Sequence, residues 1–136
     1  MCPQLAEKIY TDTGLNIINY KSDNINPLLP LLSQEFPNWT MDKIKNYVKL
    51  VISKKNDVAG ILVAQNDSLY NVGMLIYTFQ TITSGLLNNS KKEKFLNGIV
   101  VENLNASSPI LQKQVFFILI EKVIEFAKEK KCEFIE

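Results

Sequence analysis

"LNASSPILQKQVFFILIEKVIEFAKEKKCEFIE", residues 104–136, carries the decision about fold. Leu104 to Ala106 read as the end of a strand that begins at Phe95. The residues after it hold helix-start chemistry: Ser108 suits an N-cap and Pro109 the first helical position, where a missing N–H costs nothing. The spacing predicts a helix from Pro109 to Lys130. Val115, Phe116, Phe117, Ile118, Leu119 and Ile120 make it apolar nearly all round, which predicts packing on more than one side. Lys128 to Lys131 read as a solvated helix end, with cations near the negative pole of the dipole. "CEFIE" then begins another strand. A strand, a helix and a strand in this order make a parallel pair joined by a right-handed crossover.

Upstream, "PQLAEKIYTDTG" places Leu5, Ala6 and Ile9 at helical spacing and predicts a short helix in an N-terminal extension, residues 1–14. Leu15 to Tyr20 is β-branched and strand-like. "SDNINPLLPLLSQEF" predicts a helix with Pro27 in its first turn, kinked or delayed by Pro30 and ended by Pro37. In "NWTMDKIKNYVKLVIS", Thr40 is the N-cap of a second helix with Met41, Ile44, Val48, Val51 and Ile52 on its apolar face. Val58 to Gln65 and Leu69 to Thr81, separated by turn-forming "NDS", predict a hairpin. Phe95 to Ala106 is a third long strand, and its Gly98 marks a bulge or a close backbone approach. The order is β-α-α-β-β-β-α-β: an α+β fold, a mixed sheet with flanking helices, in one domain spanning residues 15–136.

Composition narrows the chemistry. The chain has 136 residues, 46% of them hydrophobic, and a formal charge of +1. That is enough apolar material for a core and too little charge to attract a polyanion, so nucleic acid is not an expected partner. All 15 cationic residues are lysines, so no bidentate arginine fork is present. Histidine is absent too, which removes histidine triads, histidine metal ligands and a histidine pH switch. No metal is expected. Cys2 and Cys132 form no CxxC pair and read as ordinary thiols. The first residues lack a signal-peptide pattern, and the longest apolar run is too short to span a bilayer. A cytoplasmic location, with no membrane association, is the expectation.

The element order over residues 15–136, and above all the tail, resembles the GCN5-related N-acetyltransferases (GNAT). In that family the fourth strand ends in Leu-x-Val, and a loop of Arg or Gln, x, x, Gly, x, Gly or Ala opens the third helix. The helix closes on Ala-x-x-x-Gly-Cys before strand five. Here Leu104 and Ala106 take the strand-end positions, and Ala127 and Cys132 take those of the exit, with Lys131 where glycine is usual. The loop positions fall on Leu111, Gln112, Lys113, Gln114, Val115 and Phe116, so both glycines are replaced. Such loops hold a pyrophosphate with backbone N–H groups at a helix N-terminus, and glycine permits the close approach. Ser108 and Pro109 would start the helix a turn early and wind the loop into it. The family also continues past strand five with a helix and two strands, one carrying the tyrosine that protonates the leaving thiolate. The resemblance thus implies a fold incomplete at the C-terminus.

What the resemblance implies about function is transfer of an acetyl group from acetyl-CoA to a small-molecule or peptide amine. Glu102 matches a strand-four carboxylate that accepts the amine's proton; the alternative is an outward-facing strand glutamate. Leu104, Asn105 and Ala106 match the backbone that pairs with the pantetheine arm, as an added strand would. Gln112, Lys113 and Gln114 occupy the phosphate-loop positions. Trp39 falls where the family's acceptor enters, and either lines that pocket or plugs the junction of two helices. Cys132 has no histidine to activate it as a nucleophile. Two other readings stand beside the enzyme. One is a degenerate, non-catalytic domain that binds a partner, or its own copy as a homodimer, through an exposed sheet edge. The other is a small-ligand sensor without chemistry.

Overall fold

A computed structural model describes residues 14–83 and 95–136. The short helix expected around Leu5, Ala6 and Ile9 and the connection 84–94 lie outside them. Strand β1, Asn16–Asn19, leads into a 3-10 turn, Asn26–Leu28, and helix α1, Leu29–Glu35. Helix α2 is Met41–Ser53, and strands β2, Ala59–Gln65, and β3, Asn71–Thr83, follow. Strand β4, Phe95–Ala106, helix α3, Pro109–Glu129, and strand β5, Phe134–Ile135, complete the order. The expected α+β architecture is present. The five strands lie in the order β1-β2-β3-β4-β5, antiparallel except for the parallel β4–β5 pair.

The sheet is covered on both faces, so its strands alternate between two cores rather than between core and water. Ala59, Ile61 and Val63 of β2 and Met74 and Ile76 of β3 pack with Leu28, Leu31 and Leu32 and with Ile44, Val48 and Val51 of α2. Leu62, Ala64, Leu75, Tyr77 and Ile99 pack on the other face against Val115, Leu119, Val123 and Ala127 of α3. Those four α3 positions recur every fourth residue, which is one stripe. The expectation that α3 packs on several sides is therefore corrected: its fully buried residues form one face, and Phe117 is 42% exposed. Met41, assigned to the apolar face of α2, is 44% exposed, and the buried residues of that helix are Ile44, Val48 and Val51.

Local chemistry sets the helix ends. The Thr40 hydroxyl accepts from Lys43 N–H at 3.2 Å and caps α2. Pro30 does not kink α1 but sits in its first turn, after the 3-10 turn that Pro27 opens. Helix α3 exits through two paired bonds, Cys132 N–H to the Ala127 carbonyl at 2.8 Å and Lys131 N–H to the Lys128 carbonyl at 3.2 Å. Lys131 takes φ +52°, the left-handed conformation that this exit demands and that glycine adopts most readily. The second such residue is Leu69, at φ +64° in the β2–β3 turn, which is why β3 starts at Asn71 rather than Leu69.

Gly98 resolves as a close approach. A Cβ there would run into the ring of Phe134 on β5, and Gly98 and Phe134 are register partners. The bulge in β4 lies elsewhere. The β3–β4 ladder pairs Tyr77 with Val101 but Ile76 with Asn103, leaving Glu102 as the extra residue. Its effect on packing is direct. Ile99 and Val101 face α3 before the bulge, and Leu104 and Ala106 face α3 after it. Without the extra residue, strict alternation would turn Asn103 and Asn105 into that core and Leu104 out of it.

Candidate functional site

The bulge puts Glu102 on the surface, where its carboxylate is fixed by β3. Thr78 Oγ1 donates to Glu102 Oε1 at 2.9 Å, and Gln80 Nε2 donates to the same oxygen at 3.3 Å and to Thr78 Oγ1 at 3.0 Å. Among the described residues nothing donates to Oε2. Thr78 and Gln80 are alternate residues of one strand and so share a face. Tyr47 of α2 approaches the same place. Burial raises its phenol pKa, the negative charge of Glu102 raises it further, and a hydrogen bond from Asn103 partly offsets both. Tyr47 therefore stays protonated beside Glu102.

Trp39 is packed rather than presented. Its ring stacks on Phe36 at 4.3 Å, and Tyr47 meets both rings edge-on at 5.7 and 5.8 Å. Lys43 Nζ lies 4.3 Å from the Trp39 centroid, and the stacked Phe36 leaves only the opposite face for it. Both faces of the indole are thus covered, and the group sits at the α1–α2 junction against the core.

The tip of β4 is built differently. Ser107 N–H donates to the Val72 carbonyl at 2.9 Å. By the alternation of an antiparallel ladder, Ser107, Asn105 and Asn103 bond to β3, and Leu104 and Ala106 turn their backbone groups to the other side. Bonds with β5 reach as far as Val101, whose N–H donates to the Glu136 carbonyl at 2.9 Å. Helix α1 is tied to this tip twice. Gln34 Nε2 donates to the Ala106 carbonyl at 2.9 Å, and Asn105 Nδ2 donates to the Leu31 carbonyl at 2.7 Å. Asn105 is 5% exposed, and its Oδ1 has no donor among the described residues.

The start of α3 follows the Ser108–Pro109 expectation. Ser108 Oγ accepts from Ile110 N–H at 3.2 Å and the Ser108 carbonyl accepts from Leu111 N–H at 3.2 Å. Pro109 has no N–H. The first three helical positions therefore have no free backbone donor for an anion. Gln112, Lys113 and Gln114 lie within the first two turns, with Gln112 and Lys113 exposed.

The structure thus sets Glu102 against Thr78 and Gln80 at the β4 bulge and leaves Gln112 to Gln114 on a helix. Thr78, Gln80, Gln34 and Tyr47 escaped the sequence reading. Thr78 and Gln80 carry a signal, a polar pair two apart at the end of an apolar strand. Tyr47 sits one residue before Val48 in the apolar stripe of α2 and looks like core. Among the described residues no cluster of three or more histidine, cysteine, aspartate or glutamate side chains is placed to hold a metal. No helix there is long and apolar enough to cross a membrane.

No family model matches the sequence, and no curated protein matches it. Solved structures do match. The aminoglycoside antibiotic 6'-N-acetyltransferase AAC(6')-Ih from Acinetobacter baumannii superimposes with a TM-score of 0.66 at 17% identity, over 90% of this chain and 77% of its own. AAC(6')-Iy in complex with a CoA-containing bisubstrate analogue gives 0.69 at 15% identity, again over 90% and 77%. A GNAT family acetyltransferase from Staphylococcus aureus gives 0.66 at 14% identity, over 90% and 84%. At such identities the likeness speaks for architecture. The chain has the fold of the GNAT acetyltransferases.

Proposed function

We propose that the chain is an acetyl-CoA-dependent N-acyltransferase acting on a small-molecule or peptide amine. The observation that carries this reading is the carboxylate of Glu102, lifted out of the ladder by the β4 bulge and fixed by Thr78 and Gln80. It stands two residues before Leu104, whose backbone turns away from β3. A thioester whose pantetheine arm pairs with Leu104 would present its carbonyl near Glu102. Glu102 takes a proton from the acceptor ammonium; the neutral nitrogen attacks the thioester carbon, the C–S bond breaks, and the second proton lost by that nitrogen passes to the leaving thiolate, so that the amide and the CoA thiol are released. Tyr47, still protonated, donates a hydrogen bond on the acceptor side. Trp39 shapes the acceptor entrance as a packed wall.

The pantetheine arm fits better than the pyrophosphate. Leu104 offers a backbone edge, although Gln34 already engages one lone pair of the Ala106 carbonyl. The first positions of α3 offer no N–H, so the charge of Lys113 and the amides of Gln112 and Gln114 would have to serve the phosphates. That deficit favours a second reading, a non-catalytic acetyltransferase-like domain working through protein contacts or self-association at its sheet edge.

A coupled assay over a panel of amines, run with wild type and Glu102→Gln, separates them. Removing a general base lowers turnover by roughly 10²–10⁴-fold. The glutamine retains the contacts to Thr78 and Gln80, so the variant should fold. Equal turnover in both proteins overturns the role of Glu102. No turnover and no binding of acetyl-CoA at millimolar concentration overturns the enzyme.

A further inference from the structure

On the α3 face of the sheet, opposite Glu102, Thr78 and Gln80, lies a cavity of 390 Å³ lined by Asn19, Asn56, Asp57, Tyr77, Phe79, Phe126, Glu129 and Lys130. Its size suits a small organic molecule. The floor is aromatic: Tyr77 meets Phe79 edge-on at 5.8 Å and Phe126 at 5.6 Å. The ring of Tyr77 lies over Gly60, where a Cβ would collide with it, so the sequence keeps this floor flat.

The polar lining is mostly acceptor. The Tyr77 hydroxyl donates to the Asn56 carbonyl at 3.2 Å, and the Asn19 amide bonds to Tyr77. With the tyrosine proton committed to Asn56, the Asn19 group facing Tyr77 is its nitrogen. Asp57 and Glu129 stand exposed at the rim. Asp57 is close enough for its charge to raise the Tyr77 pKa, after burial, which is the larger cause. Helix α3 ends here as well, adding the negative pole of a 21-residue helix. Among the described residues, Lys130 is the one cation in the lining, against two carboxylates.

We propose that this cavity binds a small organic ammonium ion, its apolar body against Phe79 and Phe126 and its N–H groups toward Asp57 and Glu129. Rings and carboxylates together select a cation that is also hydrophobic. The site is separate from Glu102 and does not depend on the transfer reaction.

Calorimetric titration with benzylamine, against benzoate and benzyl alcohol, tests it on the full chain. Saturable benzylamine binding is expected, with neither control competing. Asp57→Asn and Glu129→Gln, both at exposed positions, should each weaken it about tenfold. Lys130→Met should tighten it, and Glu121→Gln, an exposed carboxylate of α3 outside the cavity lining, should leave it unchanged. Absence of binding at millimolar benzylamine overturns the proposal, as does tighter binding of benzoate. So does binding left unchanged in both Asp57→Asn and Glu129→Gln, which would place the amine elsewhere.

Discussion

Lys131 and Ser108 show how single residues settle the two ends of α3. Lys131 holds φ +52°, and a side chain in that conformation costs roughly 1–2 kcal/mol, which glycine avoids. Lys131→Gly should therefore stabilise the chain by about 1 kcal/mol, read as a higher urea midpoint at unchanged slope. Ser108→Ala should cost about 1 kcal/mol by removing the cap on Ile110 N–H. Both positions were legible in the sequence, one as a lysine where glycine is usual and the other as a serine before a proline. Glu102 was legible only in part. Its polar character was plain, but the bulge was not read. Its trace is the doublet Glu102–Asn103 between inward-facing Val101 and Leu104, which breaks the two-residue alternation. The glycine of the strand, Gly98, marks a different constraint, the ring of Phe134.

At the scale of elements, strand β4 ran Phe95–Ala106 as read and helix α3 began at Pro109 as read, because strong local signals bound both. What the sequence hid was contact between distant elements. The tie from Gln34 to the Ala106 carbonyl joins residues 72 apart, and no local pattern announces it. The aromatic group of Phe36, Trp39 and Tyr47 is another such feature. It joins the α1–α2 junction to the sheet, so Trp39→Ala should lower stability by about 2 kcal/mol through lost burial. A thermal melt checks this. Residual turnover per folded molecule should change less than in Glu102→Gln, since both faces of the indole are already covered.

For the whole molecule, two cores on either side of one sheet make stability a collective property, and its pH dependence follows from composition. With no histidine, melting temperature should be level between about pH 6 and 8. Burial raises the pKa of Tyr47, Tyr77 and the Cys132 thiol above their ordinary values of 10.0, 10.0 and 9.0. A pKa raised by folding gives stability that is complete below the unfolded value and lost as pH rises through the folded one. Melting temperature should therefore begin to fall above pH 9.0 and continue falling above pH 10.0, in melts across an alkaline series. The same molecule-wide view bears on the ligand. The strand tip offers a backbone edge at Leu104, while the helix that would grip phosphates has spent its first donors on Ser108. The most direct measurement is a calorimetric comparison of acetyl-CoA with S-acetylpantetheine, which lacks the nucleotide and pyrophosphate. Binding of both, with dissociation constants within about tenfold of each other, is the predicted result. Failure of both to bind at millimolar concentration would contradict the account.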